Sequence, residues 1–307
     1  MAYDFPPYRP PSEANSILIR ATRGCPWNRC GFCTMYKGIG FAKRTLEEIR
    51  ADIDVAREVF GPRETAFIAD SDSLLLPYIG EAVAYLRQQM PELRRVTSYA
   101  RARTLAALGA EKLLRLKEAG LDRLHVGLES GDPETLAALD KGATPGHFIR
   151  AADAAHQAGL ELSLYVLVGG GGESRWREHA EGSARVINRC RPQFVRLRTL
   201  VVQDGSPLKA LADRGEFTIA RPMTLLREIE ALVERMEVSG CLLASDHVTN
   251  YLFLDEEVVF SGVNGRLPEE KEGILDHLRS TIRRLEACEE TLQGPNDLYA
   301  MGYHRGL

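Results

Sequence analysis

The feature that most constrains the fold is an alternation of short apolar runs with amphipathic stretches, repeated six times between residues 15 and 210. SILIRA (16–21), TAFIAD (65–70), RVTSYA (95–100), LDRLHVGLES (121–130), ELSLYVLVGG (161–170) and FVRLRTLVV (194–202) each read as a buried strand. Between them the period changes to that of a helix. Leu46, Ile49, Ile53, Ala56 and Phe60 share one helical face. Thr45 and Glu48 have the spacing of a capping box before it, and Gly61-Pro62 ends it. Further helices are expected over about 78–89, through GAEKLLRLKEAG, after the Asp132-Pro133 cap and from near Glu173. Six βα units of this kind predict a parallel sheet with helical crossovers.

Two architectures satisfy that pattern, an open doubly wound sheet and a full or partial TIM-type barrel. A doubly wound sheet normally carries G-x-G-x-x-G after its first strand, whereas cysteines stand there in this chain. The expectation is therefore an α/β partial (βα)6 barrel spanning 15–210. An extended segment, 1–14, precedes it, and a mostly helical extension packed on the core, 211–307, follows it. In either architecture the C-terminal strand ends form the site, and here they carry Asp70, Ser98, Glu129 and Gly169.

Composition is that of a soluble protein, 44% hydrophobic and 27% charged, with no apolar run of the roughly 20 residues a bilayer span needs. MAYDFPPYRPPSE lacks the charged-then-apolar pattern of a secretion signal, so a cytoplasmic protein with no membrane partner is expected. A net charge of −4 argues against nucleic acid as a partner. Charge is uneven, however: Ser183 to Arg221 holds eight Lys or Arg against three Asp or Glu. That stretch reads either as a solvated face or as a rim attracting an anionic substrate.

Three of the six cysteines, Cys25, Cys30 and Cys33, crowd into GCPWNRCGFC directly after the first strand. Cys190, Cys241 and Cys288 are scattered and read as core or surface thiols. A structural zinc site wants four ligands, yet no histidine precedes His125. Three thiolates would instead fix three irons of a 4Fe-4S cube and leave the fourth open.

With that loop the chain resembles the radical SAM superfamily, whose CxxxCxΦC loop follows the first strand of a partial (βα)6 barrel. Phe32 stands at the aromatic Φ position. HVGLESGDPETLAALDKGAT, YVLVGGGGESRWRE and FVRLRTLVVQDGSPL are similar, in order, to the fourth-, fifth- and sixth-strand segments of its coproporphyrinogen oxidase and methylthiotransferase branch. The resemblance implies two cofactors, a 4Fe-4S cluster held by Cys25, Cys30 and Cys33 and S-adenosylmethionine (SAM). It also implies an electron donor such as flavodoxin or ferredoxin and a small-molecule substrate. SAM would meet Asp70, Ser71 and Asp72, where relatives have a Gly-Gly-Glu-like stretch. Ser98, Arg101, Glu129 and Ser130 follow at the next strand ends, with Lys141 pairing the SAM carboxylate and Gly169 and Gly170 approached by its adenine. Read on their own, Asp132 is a helix cap, Glu173 either a first-turn acid or a ligand, and Trp27, Tyr36 and Trp176 either packing or platforms.

The loop departs from the family pattern in one respect, with four residues between Cys25 and Cys30 where most relatives have three. Neither an auxiliary-cluster cysteine motif nor a cobalamin-domain segment is recognised. A substrate meeting the barrel mouth would face ASDHVTNYLFL and FSGVNGRLP, which offer Asp246, His247, Asn250, Asn264 and Arg266. The leading expectation is an enzyme that cleaves SAM reductively and starts radical chemistry on a small or medium substrate. Two alternatives stay open: an aminocarboxypropyl transferase, and a non-enzymatic Fe-S or zinc scaffold or sensor.

Overall fold

The computed structural model describes residues 8–245 and 247–303. Eight strands hydrogen-bond side by side in chain order: β1 (Ile17–Arg20), β2 (Thr65–Ala69), β3 (Arg95–Tyr99), β4 (Arg123–Glu129), β5 (Glu161–Val168), β6 (Phe194–Thr199), β7 (Cys241–Ala244) and β8 (Asn264–Leu267). The first six are the runs read from sequence. β1 pairs with β2, β2 with β3 and β3 with β4 in parallel, for example Ile19 opposite Ile68 and Ser98 opposite Leu124. β7 lies parallel to β6, and β8 turns back antiparallel to β7. The fold is α/β with a mostly parallel sheet, the class of the partial TIM-type barrel.

Between the strands run α1 (Leu46–Phe60), α2 (Ile79–Gln89), α3 (Ala102–Glu118), α4 (Pro133–Ala138), α5 (Pro145–Gln157) and α6 (Gly172–Cys190). Helices α7 (Pro207–Asp213), α8 (Pro222–Arg235), α9 (Lys271–Leu285) and α10 (Pro295–Ala300) follow. Capping fixes the α1 start as the sequence suggests: the Glu48 N–H donates to Thr45 Oγ1 at 3.2 Å, and the Thr45 N–H to Glu48 Oε2 at 2.7 Å.

The chain divides into two units, Met1–Asn28, Met35–Val126 and Arg150–Ser163 in one, Arg29–Thr34, Gly127–Ile149 and Leu164–Leu307 in the other. The first buries Ile19, Phe67, Ile68 and Val96 of its strands with Ile49 and Ile53 of α1, Leu86 of α2 and Leu105 of α3. The second buries Val195, Leu197 and Leu243 with Ile187 of α6, Leu226 and Ile229 of α8 and Leu278 of α9. The region after residue 210 is helical in α8 to α10 but also supplies β7, β8 and a hairpin of Leu252–Leu254 with Glu257–Phe260. Among the described residues no helix is long and apolar enough to cross a membrane.

Candidate active site

In the first unit, the cysteine loop begins at Gly24, which takes a positive φ of 74°. Its N–H donates to Asp70 Oδ2 at 3.1 Å, and Ser71 Oγ donates to its carbonyl at 2.9 Å. A Cβ there would come within 3.2 Å of the Gly40 carbonyl, so glycine suits both the turn and the space. Asp70 is fully buried, with Arg20 Nε 3.4 Å from its Oδ2. Asp70 and Ser71, read as SAM ligands, thus grip the backbone just ahead of Cys25.

Among the four residues between Cys25 and Cys30, Trp27 and Asn28 make specific contacts. Asn28, at φ 43°, is left-handed, a conformation in which asparagine is enriched. Its Nδ2 donates to the Tyr36 carbonyl at 2.6 Å, its carbonyl accepts from Lys37 Nζ at 2.8 Å, and its N–H points at Cys25 Sγ at 3.5 Å. Trp27 lies under the Arg101 guanidinium, 5.1 Å from ring centroid to Cζ.

Asp72 and Ser98 are buried at the C-terminal ends of β2 and β3. Asp72 accepts from Thr104 Oγ1 at 2.6 Å and from the Arg101 N–H at 3.3 Å, at the start of α3. Burial outweighs these bonds and raises its carboxyl to about 6. Ser98 Oγ donates to the Ile68 carbonyl at 3.0 Å and lies 2.5 Å from Ser73 Oγ.

In the second unit, Arg29–Thr34 is docked by backbone bonds. The Gly31 N–H donates to the Leu139 carbonyl at 2.8 Å, and the Leu208 N–H to the Gly31 carbonyl at 2.9 Å. Phe32 packs on Leu139, Leu167, Leu200, Val202 and Leu208, and Lys141 Nζ sits 6.0 Å over its ring. Lys141 Nζ also meets Glu129 Oε1 at 2.8 Å, both side chains largely buried. Glu129 holds a φ of 61°, a left-handed conformation that is costly for glutamate. Gly127 makes room for the pair, because a Cβ there would lie 2.1 Å from Glu129 Oε1.

Ser130 leads into a buried chain that sequence reasoning missed. Its Oγ is 2.7 Å from His179 Nδ1 on α6; His179 Nε2 is 3.2 Å from Glu228 Oε1 on α8, and that oxygen accepts the Gly169 N–H at 2.9 Å. All three side chains are at most 2% exposed. A polar residue inside an amphipathic helix was the only available signal. Gly169 to Gly172 are buried against the chain itself: a Cβ would meet Leu225 from Gly169, Leu167 from Gly170, Arg175 from Gly171 and Thr218 from Gly172, all within 3.0 Å. Asp132 caps α4 through Thr135, and Glu173 accepts from the Arg221 N–H and Thr224 at the start of α8.

Of the residues proposed to face substrate, Asp246 lies outside the described residues. His247 Nε2 is 2.9 Å from Arg198 Nη1, and its Nδ1 is 2.8 Å from Thr249 Oγ1. A guanidinium only donates, so Nε2 accepts from Arg198, and Nδ1 in turn accepts the Thr249 N–H at 3.2 Å. Asn250 is buried and holds β6, donating to the Leu197 carbonyl and accepting from Thr199 Oγ1, both at 2.9 Å. Asn264 Oδ1 accepts the Ser245 N–H at 2.9 Å, and Arg266 is exposed.

None of the six cysteines is joined in a disulfide. Cys25, Cys30 and Cys33 are each half-buried, whereas Cys190 and Cys241 are buried and burial pushes the Cys241 thiol up to about 12. Among the described residues no three His, Cys, Asp or Glu side chains form a ready-made metal group. The donor chemistry of the loop nonetheless fits an iron–sulfur cluster: three uncrosslinked thiols within nine residues, one of them facing a backbone N–H. The cleft between α6, α8 and α9, about 420 Å³ and lined by Trp176, Arg227 and Glu230, is laced with ion pairs.

Comparison with known proteins agrees with this reading. An uncharacterized methyltransferase of Pyrococcus horikoshii is 26% identical over 213 residues, 68% of this chain and 43% of that protein. A hopanoid C-3 methylase of Methylococcus capsulatus is 27% identical over 156 residues, 48% of this chain and 28% of the methylase. The chain thus spans less than half the length of these curated relatives. Among solved structures, methylornithine synthase shares the fold with a TM-score of 0.51 at 18% identity, covering 93% of this chain and 85% of the synthase. The radical S-adenosylmethionine methyltransferase TsrM of Kitasatospora setae does so with a TM-score of 0.53 at 18% identity, covering 65% and 39%. The family model described as the radical SAM superfamily matches residues 19–181, more than half of the chain and the whole of the cysteine loop, and the chain belongs to that superfamily.

Proposed function

We propose that the chain binds one 4Fe-4S cluster through Cys25, Cys30 and Cys33 and cleaves SAM reductively to start radical chemistry on a small or medium substrate. The observation that carries this reading is the family match over 19–181, which takes in the cysteine loop and the strand ends bearing Asp72, Glu129 and Ser130. When bound, the cluster supplies the electron for breaking a carbon–sulfur bond of SAM. An electron-carrier protein such as a flavodoxin or ferredoxin supplies that electron in a cytoplasmic setting.

The chain's own part is to hold and orient. Glu129 and Lys141 form an ion pair whose two ends complement the amino and carboxylate groups of a zwitterion, so they receive the amino-acid portion of SAM. Phe32 keeps Lys141 in place and the loop anchored. Ser130 is oriented by His179, and Asp72 with Arg101 provides the polar end of β2 and β3. Asp70, Ser71 and Ser98 act on backbone, fixing Gly24 and β2. Gly169 and Gly170 permit close packing at the β5 turn on the adenine side.

Methyl transfer is a second reading, favoured by the names of the two curated relatives described above. The products separate the readings. Anaerobic reconstitution with iron and sulfide, then SAM and dithionite, is expected to release 5′-deoxyadenosine. S-adenosylhomocysteine would mark methyl transfer, and methylthioadenosine the aminocarboxypropyl route. Cys30→Ala is expected to abolish the iron–sulfur absorbance, while Cys241→Ala, in a buried and unreactive thiol, keeps it. No nucleoside product, with zinc retained instead of iron, overturns the proposal.

A further inference from the structure

Half-buried arginines in this protein are, as a rule, matched by carboxylates: Arg44 by Asp52, Arg87 by Asp122, Arg95 by Glu13, Arg123 by Glu161 and Arg175 by Asp132. Strand β6 breaks the rule. Arg196 and Arg198 alternate with the buried Val195 and Leu197, so both stand on the opposite face of the sheet. Among the described residues neither has a carboxylate within 4 Å, and Arg196 Nε is buried with no hydrogen-bond partner, its guanidinium resting 5.9 Å from the Phe194 ring.

Register extends this face across two more strands of the same unit. Arg196 is opposite Ala244 of β7, which is opposite Asn264 of β8; Phe194 is likewise opposite Leu242, and Leu242 opposite Arg266. Residues in register share a face. Arg196, Arg198, Asn264 and Arg266 therefore project on one side, where Ala244 leaves room between them and His247 joins Arg198 beyond the end of β7. The other side is sealed by α9, since a Cβ on Gly265 would meet Ile274 at 2.9 Å. Asn264 spends its carbonyl oxygen on Ser245, which leaves its amide N–H₂ as a donor. Among the described residues the face offers three guanidiniums and one amide donor, and no carboxylate lies within 4 Å of Arg196 or Arg198. Leaving a partly buried cation unmatched is costly, and an anion supplies the missing partner.

We infer that this face is the substrate's anion-binding subsite and that the substrate carries a carboxylate or phosphate group, gripped by Arg196 and Arg198 and oriented by Asn264. The inference deepens the radical SAM reading and rests on it for the word substrate; the anion site itself is testable apart from the cluster. Citrate and inorganic phosphate serve as probes, titrated into the purified full chain before and after cluster reconstitution, with binding read by calorimetry and by thermal shift. Saturable binding of at least one probe is expected in both forms. The Arg196→Gln/Arg198→Gln double variant is expected to bind it roughly ten- to a hundredfold more weakly. Arg227→Gln, on the outer face of α8, is expected to bind it as the unaltered chain does. Undiminished binding in the double variant overturns the assignment, as does the absence of saturable binding to the unaltered chain. Should the double variant fold poorly, Arg198→Lys, which keeps the charge but not the fork, is to lose affinity while keeping the melting temperature. Competition by free methionine would assign the face to the SAM carboxylate and overturn the substrate reading. Failure of the cluster to assemble, with probe binding intact, would count against the radical SAM reading and not against the site.

Discussion

The first unit treats two buried carboxylates in opposite ways. Glu13, just before β1, is fully buried and would be raised by that burial, yet bonds from His125 and Ser16 and the charges of His125 and Arg95 bring it down to about 2. Its Oε2 accepts from Ser16 at 2.6 Å, His125 Nε2 lies 3.2 Å from Oε1, and Arg95 is 3.3 Å away. Asp72, beyond the C-terminal end of β2, is equally buried; burial outweighs the Thr104 hydroxyl, the Arg101 N–H and the Arg101 charge together, raising it to about 6. On the N-terminal side of these strands the partners of Glu13 overcome its burial; on the C-terminal side burial overcomes the partners of Asp72. That asymmetry is what a scaffold needs when one end holds the sheet and the other receives ligands.

The largest effect should come from spoiling the N-terminal end. Glu13→Gln leaves His125 and Arg95 facing a neutral amide in a buried setting, and a loss of about 3 kcal/mol in unfolding free energy is expected. Urea denaturation at neutral pH measures it. A loss under about 1 kcal/mol would mean that Glu13 is no more integral than Asp72.

Titration sharpens the contrast next, because the two groups have opposite signs. Glu13 is depressed from 4.5 to about 2, so its contribution is fully present above pH 4.5 and is lost as pH falls toward 2. Asp72 is raised from 3.8 to about 6, so the native state binds the additional proton between those values and stability falls as pH rises from about 4 to 6. Between pH 4.5 and 6, then, only Asp72 of the two makes stability change with pH, by about 2 kcal/mol at most. Asp72→Asn should flatten the stability profile in that window and leave the decline below pH 4.5 unchanged. A profile identical to that of the unaltered chain would show that Asp72 ionises normally.

How much of this could be read beforehand depended on whether a residue's role was local. The six core strands are continuous β-branched and apolar runs, and the Thr45–Glu48 and Asp132–Pro133 caps depend on residues within three positions of each other. β7 and β8 escaped notice because CLLA is only four residues long and NGRL carries an exposed asparagine and arginine that mask its alternation. His179 and Glu228 belong to two helices that each look merely amphipathic, and their pairing exists only in space. Asp70 and Asn250 were read as ligands from their position near the site, yet both are buried and bonded to the chain's own backbone or side chains. Position along a strand does not tell whether a polar group is already committed.

The smallest expected effect tests that distinction at β6. If Arg196 is held in readiness for an anion, the ligand-free chain bears the cost of a guanidinium whose Nε is dehydrated and unmatched. Arg196→Gln removes the charge and also the contact with the Phe194 ring, which at 5.9 Å is worth about 0.5–1 kcal/mol. The two terms oppose each other, so the variant should match the unaltered chain or exceed it by up to about 1 kcal/mol. Arg123→Gln, by contrast, breaks a pair with Glu161 that a nearly buried side chain already makes, and it should be destabilising. Opposite signs for two strand arginines, measured by the same urea titration, would separate a committed cation from one awaiting its partner. A loss of about 2 kcal/mol or more for Arg196→Gln would place it with Arg123 and Glu13, among the residues that hold the fold.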